Sequence, residues 1–102
     1  MIRKTFLFLL IIIFFNCFNI VFGNQNFFEE AKKKFDDKKL EESKFLFQRN
    51  IVYNPKNANS YLYLAKIFNS EENQKEEEKN LKTALLLEPD NEEAMYMLIE
   101  IQ

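Results

Sequence analysis

Acidic side chains are the residues of this chain whose type and spacing could do chemistry. Two runs of them stand out: Asp36 with Asp37, and Glu76 with Glu77 and Glu78. Paired carboxylates can serve acid–base catalysis or bind a hard cation. Adjacent residues of a helix, however, point about 100° apart, so these carboxylates diverge instead of meeting at one atom. The pattern predicts a solvated charged face and no metal site.

Histidine, cysteine and glycine, on which many catalytic and phosphate-binding sites depend, are absent from most of the sequence. The chain has no histidine, and its single cysteine and single glycine are Cys17 and Gly23. The residues after Gly23 therefore lack the usual nucleophile–base pairs and transition-metal ligands. They also lack the glycines of phosphate-binding loops. We predict that the protein is not an enzyme and binds no cofactor.

The N-terminal segment, residues 1–23, has the layout of a secretory signal peptide. A basic start at Arg3 and Lys4 precedes an apolar run over residues 5–15, and Gly23 offers a small residue for cleavage. We predict a signal peptide over residues 1–23 and one small domain over residues 24–102. The domain is expected to be exported, which means periplasmic, secreted or attached to a membrane.

Two alternatives to cleavage after Gly23 stay open. Cys17 lies near residue 20 behind an apolar run, as the acylated cysteine of a bacterial lipoprotein does, although Phe15 and Asn16 replace the small residues usual before it. Residues 5–22 also reach the lower limit of length for an uncleaved membrane anchor. In either alternative, the N-terminus would be the point of membrane attachment.

The charge of the chain bears on the class of partner. Without Arg3 and Lys4 the formal net charge falls from −2 to −4. An acidic surface repels the phosphate backbone of nucleic acids. We therefore expect protein partners and no nucleic acid.

Two prolines mark an internal repeat. Pro55 and Pro89 are separated by the same interval as Asn57 and Asn91, and we call this spacing the repeat interval. Apolar residues match apolar residues at this spacing on both sides of the prolines. The pairs are Phe47 and Leu81, Ile51 and Leu85, Tyr53 and Leu87, Tyr61 and Met95, Leu62 and Tyr96, Leu64 and Leu98, and Ile67 and Ile101. A period near 34 with a proline between amphipathic helices is typical of helical-hairpin solenoids, which bind other proteins.

Helical periodicity predicts an all-α domain of five helices joined by short polar turns. They run over about residues 26–37, 40–53, 58–69, 73–87 and from about 90 to the chain end. The two prolines stop the second and fourth helices. Asn57 is the expected N-cap of the third helix, and Asp90 with Glu93 is the expected capping box of the fifth. Residues 69–80 include no apolar side chain, so we expect the first half of the fourth helix to fray or splay from the third.

The middle unit resembles the tetratricopeptide repeat. The matching positions of its two helices are Tyr61, Leu64, Ala65 and Phe68, then Leu81, Ala84 and Pro89. A fainter unit precedes it through Phe28, Ala31, Phe35, Leu40, Phe47 and Pro55, and a partial one follows through Met95, Leu98 and Ile99. The resemblance implies a right-handed solenoid of about two and a half units, near residues 24–57, 58–91 and 92–102. The small residue that the family places early in the second helix is Ser43 in one unit but Glu77 in the other.

The resemblance also implies a concave groove that binds an extended peptide or a partner helix. Its candidate residues are Asn59, Leu62, Tyr63, Lys66, Asn69, Glu93, Tyr96 and Glu100. Leu62, Tyr63 and Tyr96 could instead only fill contacts between successive hairpins. The expected function is an exported interaction module or adaptor. The alternative is a structural envelope lipoprotein, anchored through Cys17, that docks into a membrane assembly.

The fifth helix is apolar on nearly every side. The stripe expected to pack on the fourth helix is Met95, Leu98 and Ile99. Tyr96, Met97 and Ile101 would then face water, a patch too apolar to stay exposed without cost. Met97 and Ile101 are therefore the candidate interface for a second copy of the chain or for a partner's helix.

Overall fold

The computed structural model describes residues 26–101, which form five helices. These are α1 (Phe28–Asp36), α2 (Leu40–Tyr53), α3 (Ala58–Ser70), α4 (Gln74–Leu87) and α5 (Glu92–Ile101). The predicted all-α class is confirmed for this part of the chain. The signal-peptide, lipoprotein and anchor interpretations concern residues 1–23, including Cys17, and lie outside the described residues. Among the described helices, none has the length and apolar character needed to span a bilayer.

The helix boundaries recur at the repeat interval. α2 and α4 begin at Leu40 and Gln74 and end at Tyr53 and Leu87. The same shift relates the ends of α1 and α3 and the starts of α3 and α5. Within residues 26–101, every extensive contact between helices joins two that are consecutive in the chain. Packing therefore proceeds stepwise along the sequence.

The turns after α1 and α3 share one backbone conformation. Lys38 and Glu72, which are one repeat interval apart, have φ angles of 64° and 57°. In both turns the N–H of the next residue donates to the carbonyl five residues earlier, at 2.9 Å. A left-handed residue at this place reverses the chain and pairs the last helical carbonyls, although a non-glycine residue adopts it at a cost. The two hairpins are thus closed by the same turn.

Repeated asparagines cap α3 and α5. The side-chain oxygens of Asn57 and Asn91 each accept a hydrogen bond from the N–H three residues on, at 2.9 and 3.0 Å. The predicted capping box of Asp90 and Glu93 is therefore wrong. Asp90 lies in the turn that the hydrogen bond from the Asn91 N–H to the Glu88 carbonyl closes at 3.1 Å. The N-cap lies one residue later than predicted, at Asn91, and the helix begins at Glu92.

Two hydrophobic clusters fill the interior, and α3 contributes to both. The buried residues of the first cluster are Ala31, Phe47, Leu64, Ile67 and Phe68. Those of the second are Leu62, Ala65, Leu81, Ala84 and Ala94. α3 is therefore the central helix, with α1 and α2 against one side of it and α4 and α5 against the other.

The first half of α4 is a regular helix, so the predicted fraying is wrong. α4 begins at Gln74, where the side-chain oxygen of Asn73 accepts from the Glu76 N–H at 3.3 Å. Glu77 is only 5% exposed, and its Oε1 accepts a hydrogen bond from Asn69 Nδ2 at 3.1 Å. Polar contacts, which satisfy the buried carboxylate, hold this half of the helix on α3.

α5 is rotated relative to the prediction. Ala94 is buried, and Met97, Leu98 and Ile101 pack against the second cluster. The residues that face outward are Met95, Tyr96 and Ile99. The expectation that Met97 and Ile101 form an exposed interface is therefore wrong. Of the stripe expected to face inward, only Leu98 does so, whereas Met95 and Ile99 face outward. α5 begins in phase with α3, so it turns the same side toward the preceding hairpin.

Candidate functional site

The candidate groove residues lie on α3 and α5, and the structure brings some of them together. Lys66 Nζ lies 2.6 Å from Glu93 Oε1, so an ion pair links α3 to α5. The same ammonium lies 4.9 Å from the centre of the Tyr63 ring. This distance suits a cation–π interaction, which helps to orient the lysine. Lys66 is thus positioned by groups on two helices.

Tyr63 and Leu62 are occupied by packing. The Tyr63 ring stacks on Phe47 of α2 at 5.0 Å and meets Phe28 and Phe35 of α1 edge-on at 5.9 and 5.1 Å. Leu62 is buried in the second cluster together with Ala94 of α5. Placing Leu62 on the groove surface is wrong because α5 covers it. Tyr63 is half-buried and joins α3 to the first hairpin.

Asn69 and Glu100 line one polar cavity of about 410 Å³. The rest of its lining is Glu72, Gln74, Glu77 and Ile101. Asn69 is already engaged by its hydrogen bond to Glu77. No group of histidine, cysteine, aspartate and glutamate side chains within residues 26–101 is arranged to hold a metal ion. The cavity is an acidic recess at one end of α3.

The remaining candidates, Asn59 and Tyr96, are exposed on α3 and α5. Asn59 is exposed at the start of α3. Tyr96 borders a second cavity, of about 320 Å³, on the outer side of α5 with Glu92, Met95 and Ile99. We call the polar candidates Asn59, Lys66, Glu93 and Glu100 the polar face. Tyr96 lies one helical turn from both Glu93 and Glu100 and joins this face to the apolar outer face of α5.

Two cross-helix contacts were missed by the sequence analysis. In the first, Lys44 Nζ lies 2.6 Å from Glu71 Oε1 and ties α2 to the turn after α3. The hydrogen bond with Glu71 raises the pKa of Lys44; partial burial opposes this rise, and the charges of Glu71 and Glu41 add to it. The two paired residues are 27 positions apart, so helical periodicity gives no sign of the pair.

The second missed contact is a buried amide network. Asn50 Oδ1 accepts from the Phe27 N–H at 3.0 Å, and Asn50 Nδ2 donates to Ser60 Oγ at 2.9 Å. This network joins α2 to the start of α1 and to α3. The available signal was an asparagine on the apolar stripe of α2, between Phe47 and Ile51 in the pattern, where the next unit has Ala84.

Comparison with known proteins leaves the geometry as the guide to function. The chain matches no model of a known protein family, and a comparison with curated proteins finds no significant match. The polar face offers an amide, an ammonium and two carboxylates on neighbouring helices. Such groups can bind a peptide backbone and charged side chains through hydrogen bonds and ion pairs.

Proposed function

We propose that this chain is a protein-interaction module made of tetratricopeptide-like helical hairpins. The observation that carries the proposal is the recurrence of structure at the repeat interval, which includes helix boundaries, the turns at Lys38 and Glu72, and the caps at Asn57 and Asn91. Stacked hairpins present the same helix of each unit along a common side. That side suits an extended peptide or a partner helix.

The proposed binding surface is the polar face of α3 and α5. α3 contacts α1 through Tyr63 and α5 through Lys66, so these three helices are neighbours. Asn59 of α3 and Glu93 and Glu100 of α5 are exposed, and Glu93 pairs with Lys66. An exposed ion pair such as Lys66–Glu93 contributes about 0–1 kcal/mol, so a carboxylate of the partner can replace Glu93 at low cost.

The experiment that tests this surface is site-specific photo-crosslinking in the native host. A photoreactive amino acid replaces Asn59 on the proposed surface or, as the matched control, Gln48 on α2, which is also exposed. We expect a discrete protein adduct from position 59 only. Lys66→Glu should reduce that adduct about tenfold, the effect expected of reversing a charge in an interface, while leaving the helical circular dichroism unchanged. Equal labelling from both positions, or none, would contradict the proposal.

The proposal includes export, which rests on the basic start and apolar run of residues 1–23. The form of the mature N-terminus separates an exported adaptor from an envelope lipoprotein. Intact-mass measurement of the protein from its native host should give a chain that begins at Asn24 in the first case. Acylated Cys17 would indicate the lipoprotein, and an intact Met1 would leave only the uncleaved membrane anchor.

A further inference from the structure

The outer face of α5 is an apolar surface that no other element within residues 26–101 covers. Met95, Tyr96 and Ile99 are 45%, 68% and 62% exposed, and with Glu92 they border a cavity of about 320 Å³. Monomeric proteins rarely leave contiguous apolar side chains exposed unless the patch binds something. We define these four residues as the α5 outer face.

The internal repeat indicates what kind of element fits this face. Tyr96 and Ile99 of α5 correspond, one repeat interval earlier, to Leu62 and Ala65 of α3, both of which are buried. In the first hairpin the corresponding alanine, Ala31, is likewise buried against the following helix. In both earlier hairpins, then, this side of the helix is covered by another helix. The α5 outer face has the position of a helix-docking surface.

Ile99 changes how closely a helix can approach. At Ala31 the neighbouring helix comes near enough for Ser43 Oγ to donate to the Ala31 carbonyl at 2.8 Å. Isoleucine at the corresponding position of α5 prevents such close packing because its side chain fills the space between the two backbones. A helix on this face must therefore lie farther out, and the cavity beside Tyr96 then has room for one of its apolar side chains.

Charge selects among the helices that could dock. α5 carries Glu92, Glu93 and Glu100 and no basic residue. In the first hairpin an ion pair crosses between the two helices, from Lys34 Nζ to Glu42 Oε2 at 3.1 Å. Docking the α5 of a second copy would instead bring carboxylates against carboxylates, and juxtaposed like charges disfavour an interface. The complement of this face is a basic helix.

We propose that the α5 outer face binds a basic amphipathic helix of a partner protein. An apolar side chain of that helix enters the cavity between Tyr96 and Ile99, and a lysine or arginine beside it pairs with Glu92. Met95 and Ile99 lie on a different side of α5 from Glu93, which faces Lys66. Tyr96 is one helical turn from Glu93, so the two proposed surfaces adjoin there. Ile99→Glu distinguishes them, because Ile99 lies outside the peptide surface proposed above.

Two synthetic helical peptides test the proposal on the full-length chain. Both carry leucines along one face; lysines flank the leucines in one peptide, and glutamates replace those lysines in the other. We expect fluorescence anisotropy to show that the lysine peptide binds at least about tenfold more tightly, and that added salt weakens its binding. Equal affinity for the two peptides, or no binding of either, would overturn the proposal.

Variants of the chain locate the binding. Ile99→Glu should abolish binding of the lysine peptide, whereas Phe45→Glu, at an apolar residue of α2 that is 60% exposed, should leave it unchanged. Glu92→Lys should move the preference toward the glutamate peptide. Unchanged preference in Glu92→Lys, or equal losses at positions 45 and 99, would contradict the assigned site. Dimers in sedimentation that Ile99→Glu disperses would show that a second copy occupies the face, which would also overturn the proposal.

Discussion

The two junctions between successive hairpins have the same backbone arrangement but are filled by side chains of different chemistry. In the first junction, where α2 meets α3, Phe47 stacks on Tyr63 and Asn50 bonds to Ser60. In the second junction, where α4 meets α5, the corresponding residues are aliphatic, with Leu81 the best-buried large side chain. Turns, caps and helix ends coincide after a shift of one repeat interval. The comparison shows that local backbone signals set the repeat, while the side chains between helices are free to vary as long as they fill the space.

The side chains at the junctions can vary only if every buried polar group among them has a hydrogen-bond partner. Asn50 and Ser60 occupy the positions that Ala84 and Ala94 hold in the second junction, and all four are buried. Within residues 26–101 no buried side-chain nitrogen or oxygen lacks a hydrogen bond. A hydrogen-bonded asparagine–serine pair and an alanine pair are therefore equivalent solutions at one place in the repeat.

The largest effect is expected from truncating the central side chain of each junction. Phe47→Ala should lower the free energy of unfolding by about 3–5 kcal/mol and Leu81→Ala by about 2–5 kcal/mol. The phenylalanine has the higher lower limit because its removal also takes away the ring on which Tyr63 stacks. Urea titrations followed by circular dichroism measure both values. Phe45→Ala is the control and should cost less than about 0.5 kcal/mol because that ring is mostly exposed. Equal losses at positions 45 and 47 would contradict the assigned core.

The amide network gives the next largest effect. Asn50→Ala should cost about 1–3 kcal/mol because the half-buried Phe27 N–H loses its acceptor and the Ser60 hydroxyl loses the donor amide of Asn50. The hydroxyl keeps its bond to Asn57 Oδ1 at 3.2 Å. Adding Ser60→Ala should recover part of the loss, since that change removes the hydroxyl left without the Asn50 amide. A double-mutant cycle in urea measures the coupling. Strictly additive effects would show that the two side chains act independently in solution.

A smaller effect is expected where the second hairpin departs from the first. Glu77 and Ser43 are corresponding buried residues, and each holds its helix to the one before through a hydrogen bond. Glu77→Ala should cost about 0.5–1.5 kcal/mol, and Glu77→Gln should restore most of it because the amide oxygen can still accept from Asn69. Lys75→Ala, at an exposed residue of the same helix turn, is the matched control. If thermal melts showed equal losses of stability in Lys75→Ala and Glu77→Ala, a structural role for the carboxylate would be contradicted.

The sequence was most informative where a proline sets the end of a helix. Pro55 and Pro89 stop helices by excluding the α conformation from the residue before them, so the ends of α2 and α4 agree with prediction. The face of α5 could not be predicted in this way. Most residues of that helix are apolar, so periodicity does not distinguish its sides. Its rotation is fixed by Ala94, which fits against Leu62 and Ala65 in the second cluster.

The candidate site also has features that the sequence predicted and features that it did not. Lys66 and Glu93 were assigned to one surface by the resemblance, and they meet as an ion pair. Leu62 was assigned to that surface as well, but it is covered by α5, which comes two helices later in the chain. Glu77 stands where the family places a small residue, and its burial is made possible by Asn69 of the preceding helix, which donates a hydrogen bond to it. Burial and pairing of this kind depend on tertiary contacts that composition does not specify.

The smallest effect on stability is expected from the ion pairs of two corresponding residues, Lys44 and Glu78. Lys44 joins α2 to Glu71 in the turn after α3, whereas its counterpart Glu78 pairs with Lys82 inside α4 at 2.9 Å. Lys44→Met, which keeps an apolar stem beside Phe68, should cost about 0.2–1 kcal/mol, and Glu78→Gln about 0.3–0.5 kcal/mol. The hydrogen bond with Glu71 raises the pKa of Lys44, so the folded state holds this proton more tightly than the unfolded state does.

The direction of that shift fixes the pH at which the Lys44 contribution disappears. A raised pKa gives stability that is fully present below the unfolded-state pKa of about 10.4 and is lost as the pH rises through the higher folded-state value. The difference in urea midpoint between the native chain and Lys44→Met should therefore stay constant from neutral pH to about pH 9 and shrink above about pH 10.5. About 1 M salt should reduce it at neutral pH, because the pair is only partly shielded from solvent. A difference that persists unchanged at high pH would show that the charge of Lys44, and with it the ion pair to Glu71, is not the source of its contribution to stability.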